Sequence, residues 1–576
     1  MTSDACPTCN NGKPSLNRRH LVGGAAAAGV AAAFGSELTS GAIAQEATPI
    51  AVDPGVPPAG TFESLQTYPL VTEPKTFRIQ ITDQQGERGP DNATSAWLEE
   101  LTGVKIEWLV VPAEGAIEQM TLQLASGDMP DAYMGLIWTP INPAQLSVYG
   151  DQGFFVDLAP LLAENAPNFN AQVETLPAAQ ALVTAPGGAI YSLPQINDCY
   201  HCAIRQKMWI NKAWLDKAGL AIPTTPEEFQ AMLVAFKDSD PNGNGQADEI
   251  MMTVSAIENL GDLDGFLMNP FQLSPIDPWL YVGEEGKVVS AYTQDGWRDG
   301  VNYMRGLYAA GLLDPASFTQ TSEEMEAKTK NPEIAVVGAA PTFWKATHFD
   351  FNVSYFKDYV AIPQLTGPTG LQQTFRSYTP GAVGGLMITS ACDDPALMVK
   401  WADSLFSTEG TLRVARGKPG HNWRWAQEGE LGIHGGPAVW AIVSQPPGAL
   451  DGEIEQSWYE LCPMWFNSDL RLSQAVVKPR DEETETILYD ATHDMQEPWA
   501  SPESSYLPPL FFTADQASIV ALNGSEVSNL VKSQYTLWVT GQGDPVADWE
   551  GYLEQLNSVG HEELLSTYQE AFDQRG

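Results

Sequence analysis

The order of strand and helix patterns in this chain predicts an α/β fold. Three observations carry that expectation. Residues 77–134 read strand, helix, strand, helix, strand. Strand and helix patterns keep alternating as far as residue 406. The chain has 576 residues and no internal repeat, which leaves room for more than one domain.

Phe77, Ile79 and Ile81 alternate with Arg78 and Gln80, the period of a strand. Thr94 to Leu101 is helical, Val104-Lys-Ile106-Glu-Trp108 alternates again, Ala116 to Ala125 is helical, and Asp131 to Met134 is a short strand. A helix between consecutive strands implies a crossover, and therefore a parallel sheet with helices on its faces. Ala203 to Asn211 reads as a further strand. Thr225-Pro226-Glu227 opens an amphipathic helix that runs to Lys237, with a capping hydroxyl followed by proline at the first helical position. Gly300 to Ala310 is a helix stopped by Gly311, and Pro395 to Phe406 is another. Residues 45–70, rich in Pro, Thr and Ala, read as a flexible lead-in.

Before the lead-in, Arg18-Arg19 precede an Ala/Gly-rich apolar run from Leu21 to Phe34, and Ala42-Ile43-Ala44 offers a small-residue cleavage site. Residues 1–44 therefore read as a twin-arginine export leader, and place the mature protein in the periplasm or outside the cell. The run is too short to span a bilayer stably. No cysteine stands at the cut, so no lipid anchor is expected. The formal charge is −42, from 72 acidic and 30 basic residues. The leader carries three basic and two acidic residues, so its removal leaves −43. Such a surface repels nucleic acid and anionic lipid.

Asp240-Pro-Asn242-Gly-Asn244-Gly245-Gln246-Ala-Asp248-Glu249 places oxygen donors at alternate positions around a glycine. Hard cations take six to eight oxygens, and a sharply turned loop can offer them from alternating residues. We expect one structural Ca²⁺ held by Asp240, Asn242, Asn244, the Gln246 carbonyl, Asp248 and Glu249. The twelfth position is Met251, so the closing carboxylate is Glu249 and the loop departs from an EF-hand.

The residues around this loop resemble the extracellular solute-binding proteins of ABC importers. They are most similar to the oligosaccharide-binding branch that includes alginate-oligosaccharide-binding and LipO-like proteins. The matching run holds YSLP at Tyr191, INKAWLDKAGL at Ile210, PTTPEEF at Pro223 and then the calcium loop. LASGDMPDAYM (Leu124 to Met134), GVNYMRGLYAAGLLDPASF (Gly300 to Phe318) and MITSACDDPALMVKWADSLFSTEG (Met387 to Gly410) extend it. The resemblance implies a two-lobed periplasmic-binding-protein fold of type II, each lobe a mostly parallel sheet flanked by helices, with the ligand cleft between lobes. It implies lobe one at 71–190 plus 380–430 and lobe two at 191–379 plus 431–576. It also implies ABC permease subunits as partners and a monomer.

Sugar recognition needs flat apolar faces for the ring and planar polar groups for the hydroxyls. By analogy with that fold, the candidates are Trp138, Asp198, Tyr200, Trp344, Arg376, Trp423 and Trp425. The i, i+2 spacing of Trp423 and Trp425 in a polar loop suggests that at least one is exposed. Neutral or weakly charged glycans are expected, unless Arg376, Arg424 and Lys345 gather into one basic pocket.

Cys199-Tyr-His201-Cys202 has the spacing of a redox CxxC or of a zinc half-site. No second CxxC completes a zinc site in the mature chain. The motif also leads into a strand-like run, whereas a thioredoxin-type CxxC opens a helix. A small, redox-inert structural disulfide between Cys199 and Cys202 is the expectation for an oxidising compartment. Cys6 and Cys9 fall in the leader. No HExxH, GxSxG, phosphate-binding or dinucleotide-binding motif is present. The sequence is read as a non-enzymatic receptor that captures an oligosaccharide. The competing readings are a secreted, calcium-stabilised carbohydrate-active enzyme and, more remotely, a thiol oxidoreductase.

Overall fold

A computed structural model describes residues 52–83, 90–136, 141, 143–185, 187–443, 457–458 and 461–575. The expected leader with Cys6 and Cys9, the first residues of the expected lead-in and Trp138 lie outside these residues. Among the described residues, no helix is long and apolar enough to cross a membrane.

Two principal sheets organise the chain. The first has the order β14-β4-β11-β3-β1-β2, built from Lys75–Asp83 (β1), Val104–Pro112 (β2), Ala132–Met134 (β3), Leu193–Asn197 (β4), Gly381–Ile388 (β11) and Met464–Phe466 (β14). β1 runs parallel to both β2 and β3, with Phe77 opposite Ile106 and Ile79 opposite Ala132. Phe77, Ile79 and Ile81 are buried on one face of β1, and Gln80 and Thr82 on the other, as expected for a parallel sheet covered on both sides. The Ala93–Thr102 helix between β1 and β2 starts where the Asn92 side chain accepts the Thr94 N–H. It ends at Gly103, whose φ of 75° lets its N–H reach the Glu99 carbonyl.

The second sheet has the order β10-β5-β9-β6, from Met208–Asn211 (β5), Ile250–Met252 (β6), Val337–Pro341 (β9) and Tyr359–Ala361 (β10). Its core gathers Trp214, Phe229, Phe236, Trp297, Met304 and Tyr535. The 26-residue helix Ala514–Val539 buries Val527, Val531, Tyr535, Trp538 and Val539, a stripe at helical spacing, against this core. Two hairpins stand apart, Leu280–Val282 (β7) with Val288–Ser290 (β8), and Trp423–Trp425 (β12) with Trp440–Ile442 (β13).

Among the described residues, the chain passes between the sheets three times. Residues 198–207 join β4 to β5, residues 362–380 join β10 to β11, and residues 467–483 join β14 to the Thr484–His493 helix. Ile487 and Ala491 of that helix belong to the core of the second sheet. β4, β11 and β14 are neighbours, so all three passages leave one edge of the first sheet together. β14 is parallel to β4, with Trp465 opposite Ile196, and β11 is antiparallel, with Gly381 opposite Ile196. A side chain at Gly381 would meet the Gln195 carbonyl oxygen at 2.0 Å, so glycine is what lets these strands close up there.

Several expectations need correction. The chain after residue 430 was assigned to lobe two, yet it supplies β14 to the first sheet and Trp440, Trp458 and Cys462 to its core. The strand expected over 203–211 is confined to 208–211, because Tyr200–Ala203 is a helical turn. The described part of the lead-in is a docked strap. Val52 N–H donates to the Gly420 carbonyl (2.7 Å), Trp425 N–H to Pro54 (2.9 Å), Thr408 N–H to Phe62 (3.0 Å) and Leu65 N–H to the Asn168 side chain (2.6 Å). Its backbone groups are satisfied by lobe one, which composition alone does not reveal.

Candidate functional site

The three passages meet at the Tyr200–Ala203 turn. Cys199 is its N-cap, and its sulfur accepts the Cys202 N–H. The Ser377 N–H of the second passage donates to the Ala203 carbonyl (2.9 Å). The Tyr200 hydroxyl donates to the Glu485 carbonyl (3.1 Å), and its ring packs edge-on against Tyr489 (5.5 Å between centroids). Asp198 accepts the Ser468 hydroxyl (2.7 Å) and N–H (3.3 Å), which ties the first passage to the third.

Cys199 and Cys202 are bonded to each other, while Cys392 and Cys462 remain buried thiols. The pairing is as expected, but the ground for its inertness is not. The motif follows β4 and opens a helical turn after all. His201 lies beside it, with ring nitrogens 3.3 and 3.4 Å from the Cys199 sulfur. The Glu485 carboxylate is 3.7 Å from His201 Nε2 and 3.5 Å from Arg471 Nη1. Burial would raise the Glu485 pKa, but the adjoining His201 imidazole and the positive charges of Arg471 and Arg416 hold it down to about 2. Arg471 also donates to the Asn197 side chain (2.5 Å) and lies over the Phe466 ring.

Aromatic rings surround the passages. Phe375 and Tyr378 of the second passage pack on Tyr506, at 6.3 and 5.9 Å between centroids. Arg205 of the first passage lies over Phe343 at 5.8 Å. Trp499 is 37% exposed, and its carbonyl accepts the Thr374 N–H. Arg376 donates to Glu497 (3.0 Å) and sits over Tyr378 at 5.1 Å. Trp344 is half-buried, edge-on to Trp209 and Phe356.

Asp198, Tyr200 and Arg376 therefore come together on the passages, with Trp344 adjoining Phe343. Trp423 and Trp425 do not, and this expectation fails. They are 0% and 5% exposed in the core of the first sheet, 5.0 Å apart between centroids, and Trp423 Nε1 donates to the Gly417 carbonyl. β13 and the docked strap cover what reads locally as a polar loop. Arg205, Phe375, Tyr506 and Trp499 border the passages too and were not among the candidates. A lone arginine or aromatic beside a turn carries no local signal, and only the meeting of three distant segments selects them. The three cations considered for one basic pocket are dispersed. Arg376 pairs with Glu497, Arg424 is bidentate to Glu430 (2.6 and 2.8 Å), and Lys345 donates to the Phe356 and Tyr359 carbonyls. A cavity of about 340 Å³ between β10 and the Thr484–His493 helix is separate from this cluster.

The Asp240–Glu249 loop is held by its own oxygens. The Asp240 carboxylate accepts the Gly243 and Gly245 N–H groups (2.7 and 2.9 Å), while Asp248 accepts the Asn242 and Asn244 amides (3.0 and 2.9 Å). The backbone hydrogen bond from Gly245 is the main cause lowering the Asp240 pKa. Glu249 Oε1 is buried without a hydrogen-bond partner, and burial, with Asp248 and Asp240 nearby, raises the Glu249 pKa. An all-oxygen donor set with one orphaned carboxylate oxygen fits a hard cation.

Residues 82–412 match the profile of the bacterial extracellular solute-binding proteins. The chain belongs to that family. Within it, the chain is 28% identical over 488 residues to the fructooligosaccharide ABC transporter substrate-binding protein FusA of Streptococcus pneumoniae serotype 4, covering 83% of this chain and 86% of FusA. It is 29% identical over 217 residues to lipoprotein LipO of Bacillus subtilis, covering 38% of this chain and 40% of LipO. The structure of FusA in complex with kestose superposes with a TM-score of 0.70 at 25% identity, over 87% of this chain and 99% of that one. A FusA structure described as an EF-hand mutant superposes equally well, at 24% identity over the same shares. Alginate-binding protein AlgQ2 without calcium ion superposes at 0.64 and 21% identity, over 88% of this chain and 99% of AlgQ2. The two-lobed solute-binding fold of this family is thereby established, and the similarity falls within the expected branch.

Proposed function

We propose that this protein is the extracytoplasmic receptor of an ABC importer, exported by its leader, and that as a monomer it captures a neutral oligosaccharide between its lobes without cleaving it. The observation that carries this reading is its similarity to FusA over most of both chains, together with the kestose bound in a structure of FusA. Aromatic faces at Phe343, Phe375, Tyr378 and Tyr506 supply stacking surfaces beside the passages on which the lobes would close. Neutrality follows from the cations, because Arg376 and Arg424 are already neutralised by carboxylates. Binding of a ligand to the folded state alone raises the melting temperature. A glycan panel read by thermal shift is expected to give a shift with a neutral oligosaccharide and none with a uronate polymer of similar length. Release of shorter sugars during long incubation would count for the enzyme reading. Tyr378→Ala or Phe343→Ala is expected to weaken that ligand by about 1–3 kcal/mol, as for a buried aromatic anchor. Unchanged affinity in both variants would move the site elsewhere.

The loop at Asp240–Glu249 is proposed to hold one structural Ca²⁺, with Glu249 Oε1 among its ligands. The metal would bridge loop segments that otherwise rest on side-chain amides. Chelation is expected to lower the melting temperature of the wild type and to leave Asp240→Ala unchanged. A wild-type melting temperature indifferent to chelator rules the metal out.

A further inference from the structure

The Cys199–Cys202 disulfide is not placed as a buried staple would be. Cys202 is exposed, whereas Cys199 is only 8% exposed. A nucleophile arriving from solvent meets the Cys202 sulfur first. Cys202 Sγ lies 3.6 Å from His201 Nδ1, but the Cys199 sulfur has the closer and more numerous polar partners. It accepts the Cys202 N–H at 3.3 Å and lies 3.3–3.4 Å from the two His201 ring nitrogens. Behind His201 stands the Glu485 carboxylate, 14% exposed, whose Oε2 accepts no hydrogen bond. Sulfur, imidazole and carboxylate thus lie in contact in that order. Arg471 and Lys207 border the group, the latter donating to the His201 and Ile204 carbonyls.

We infer that Cys199–Cys202 is a thiol–disulfide exchange site, attacked at Cys202 by a small thiol or dithiol, with Cys199 as the leaving sulfur. The attacking thiolate forms a bond to Cys202 Sγ. The Cys199–Cys202 bond breaks, and its electron pair departs on Cys199 Sγ. The Cys202 N–H and the His201 imidazole face the new thiolate, and Glu485 steadies an imidazole that shares its proton with that sulfur. With a dithiol, the second thiolate attacks the reductant's own sulfur in the mixed disulfide. Cys202 then leaves as a thiolate and takes a proton from water. The balance is one dithiol oxidised to its cyclic disulfide and two cysteines reduced, with the dithiol's two protons passing to them. Such rates depend on which sulfur is accessible and on how well the leaving thiolate is stabilised. Both point the same way here. The turn also fastens Ser377 of the second passage and Glu485 of the helix that follows the third, so the exchange site sits where the lobes are joined.

The test uses the folded, full-length protein. It is incubated with glutathione at mildly alkaline pH, quenched with iodoacetamide and mapped by peptide mass spectrometry. Glutathione is expected on Cys202 and the alkyl group on Cys199. Glutathione mainly on Cys199, or a bond that opens only in denaturant, overturns the assignment. Dithiothreitol reduction of His201→Gln should be about tenfold slower than wild type when folded, from loss of leaving-group stabilisation. The two rates should coincide in denaturant. Equal rates in the folded state overturn the role given to His201. Mapping of the wild type decides the site whether or not that variant folds.

Discussion

Trp423→Ala is expected to lower the free energy of unfolding by about 3–5 kcal/mol, the usual cost of emptying a buried aromatic site. The ring is wholly inaccessible, packs against Trp425, and gives its N–H to the Gly417 carbonyl. Truncation leaves a cavity and an unpaired acceptor in the core of the first sheet. Chemical denaturation should show an earlier midpoint. Calorimetry well below the melting temperature should show the wild-type affinity for the oligosaccharide. The opposite pattern, a tenfold or greater loss of affinity at unchanged stability, would return this tryptophan to the ligand site. The lobes need not unfold together, so the early transition is expected to belong to the first sheet.

Arg471→Ala is expected to cost a comparable amount, about 3–5 kcal/mol, because it strands a buried charge. Its guanidinium is nearly buried and contacts Glu485, Asn197 and Phe466. The sign of the accompanying pH effect follows from Glu485. Its folded pKa of about 2 lies below the ordinary 4.5, so its contribution is present above about pH 4.5 and is lost as pH falls towards 2. Removing Arg471 should therefore flatten the acid limb of the stability profile. Asp403 runs the other way. Burial lifts it to about 6 from 3.8, although it accepts the Asn168 and Phe169 N–H groups and the Gln66 amide. Its contribution is greatest below about pH 3.8 and disappears as pH rises through 6. The variant Arg471→Ala, followed by urea denaturation from pH 7 to 3, separates the two. An acid limb as steep as wild type would show that Arg471 does not hold Glu485 down.

What was legible in the sequence was what local pattern encodes. Phe77, Ile79 and Ile81 announce β1, and Thr225-Pro226 announces a helix start, because a strand's period and a helix cap are properties of neighbours. The two lobes were legible only by resemblance, and their limits suffered accordingly. β14 has three residues, too few to show a period, and takes its place from β4 far upstream. Trp423 and Trp425 read as wet because Asn422 and Arg424 flank them. Their burial comes from β13 and from the strap at Val52–Pro54, neither of them local. The helical turn at Tyr200 was hidden for a related reason. Cysteine is an uncommon cap, so Cys199 gave no start signal.

The pairing of β4 with β11 and β14 also bears on how the molecule is made. As the nascent chain emerges, β4 appears long before either partner. The entire second sheet is synthesised before Gly381 arrives, and the edge of β4 that receives Met464 waits longer still. An unpaired strand edge invites association with other chains, and pairings so distant in sequence form slowly. The first lobe is therefore completed only after the whole second sheet has emerged, and the helices that finish the second core follow it. A chain halted before Phe466 should be the aggregation-prone species, and a chaperone that shields strand edges should matter most in that interval.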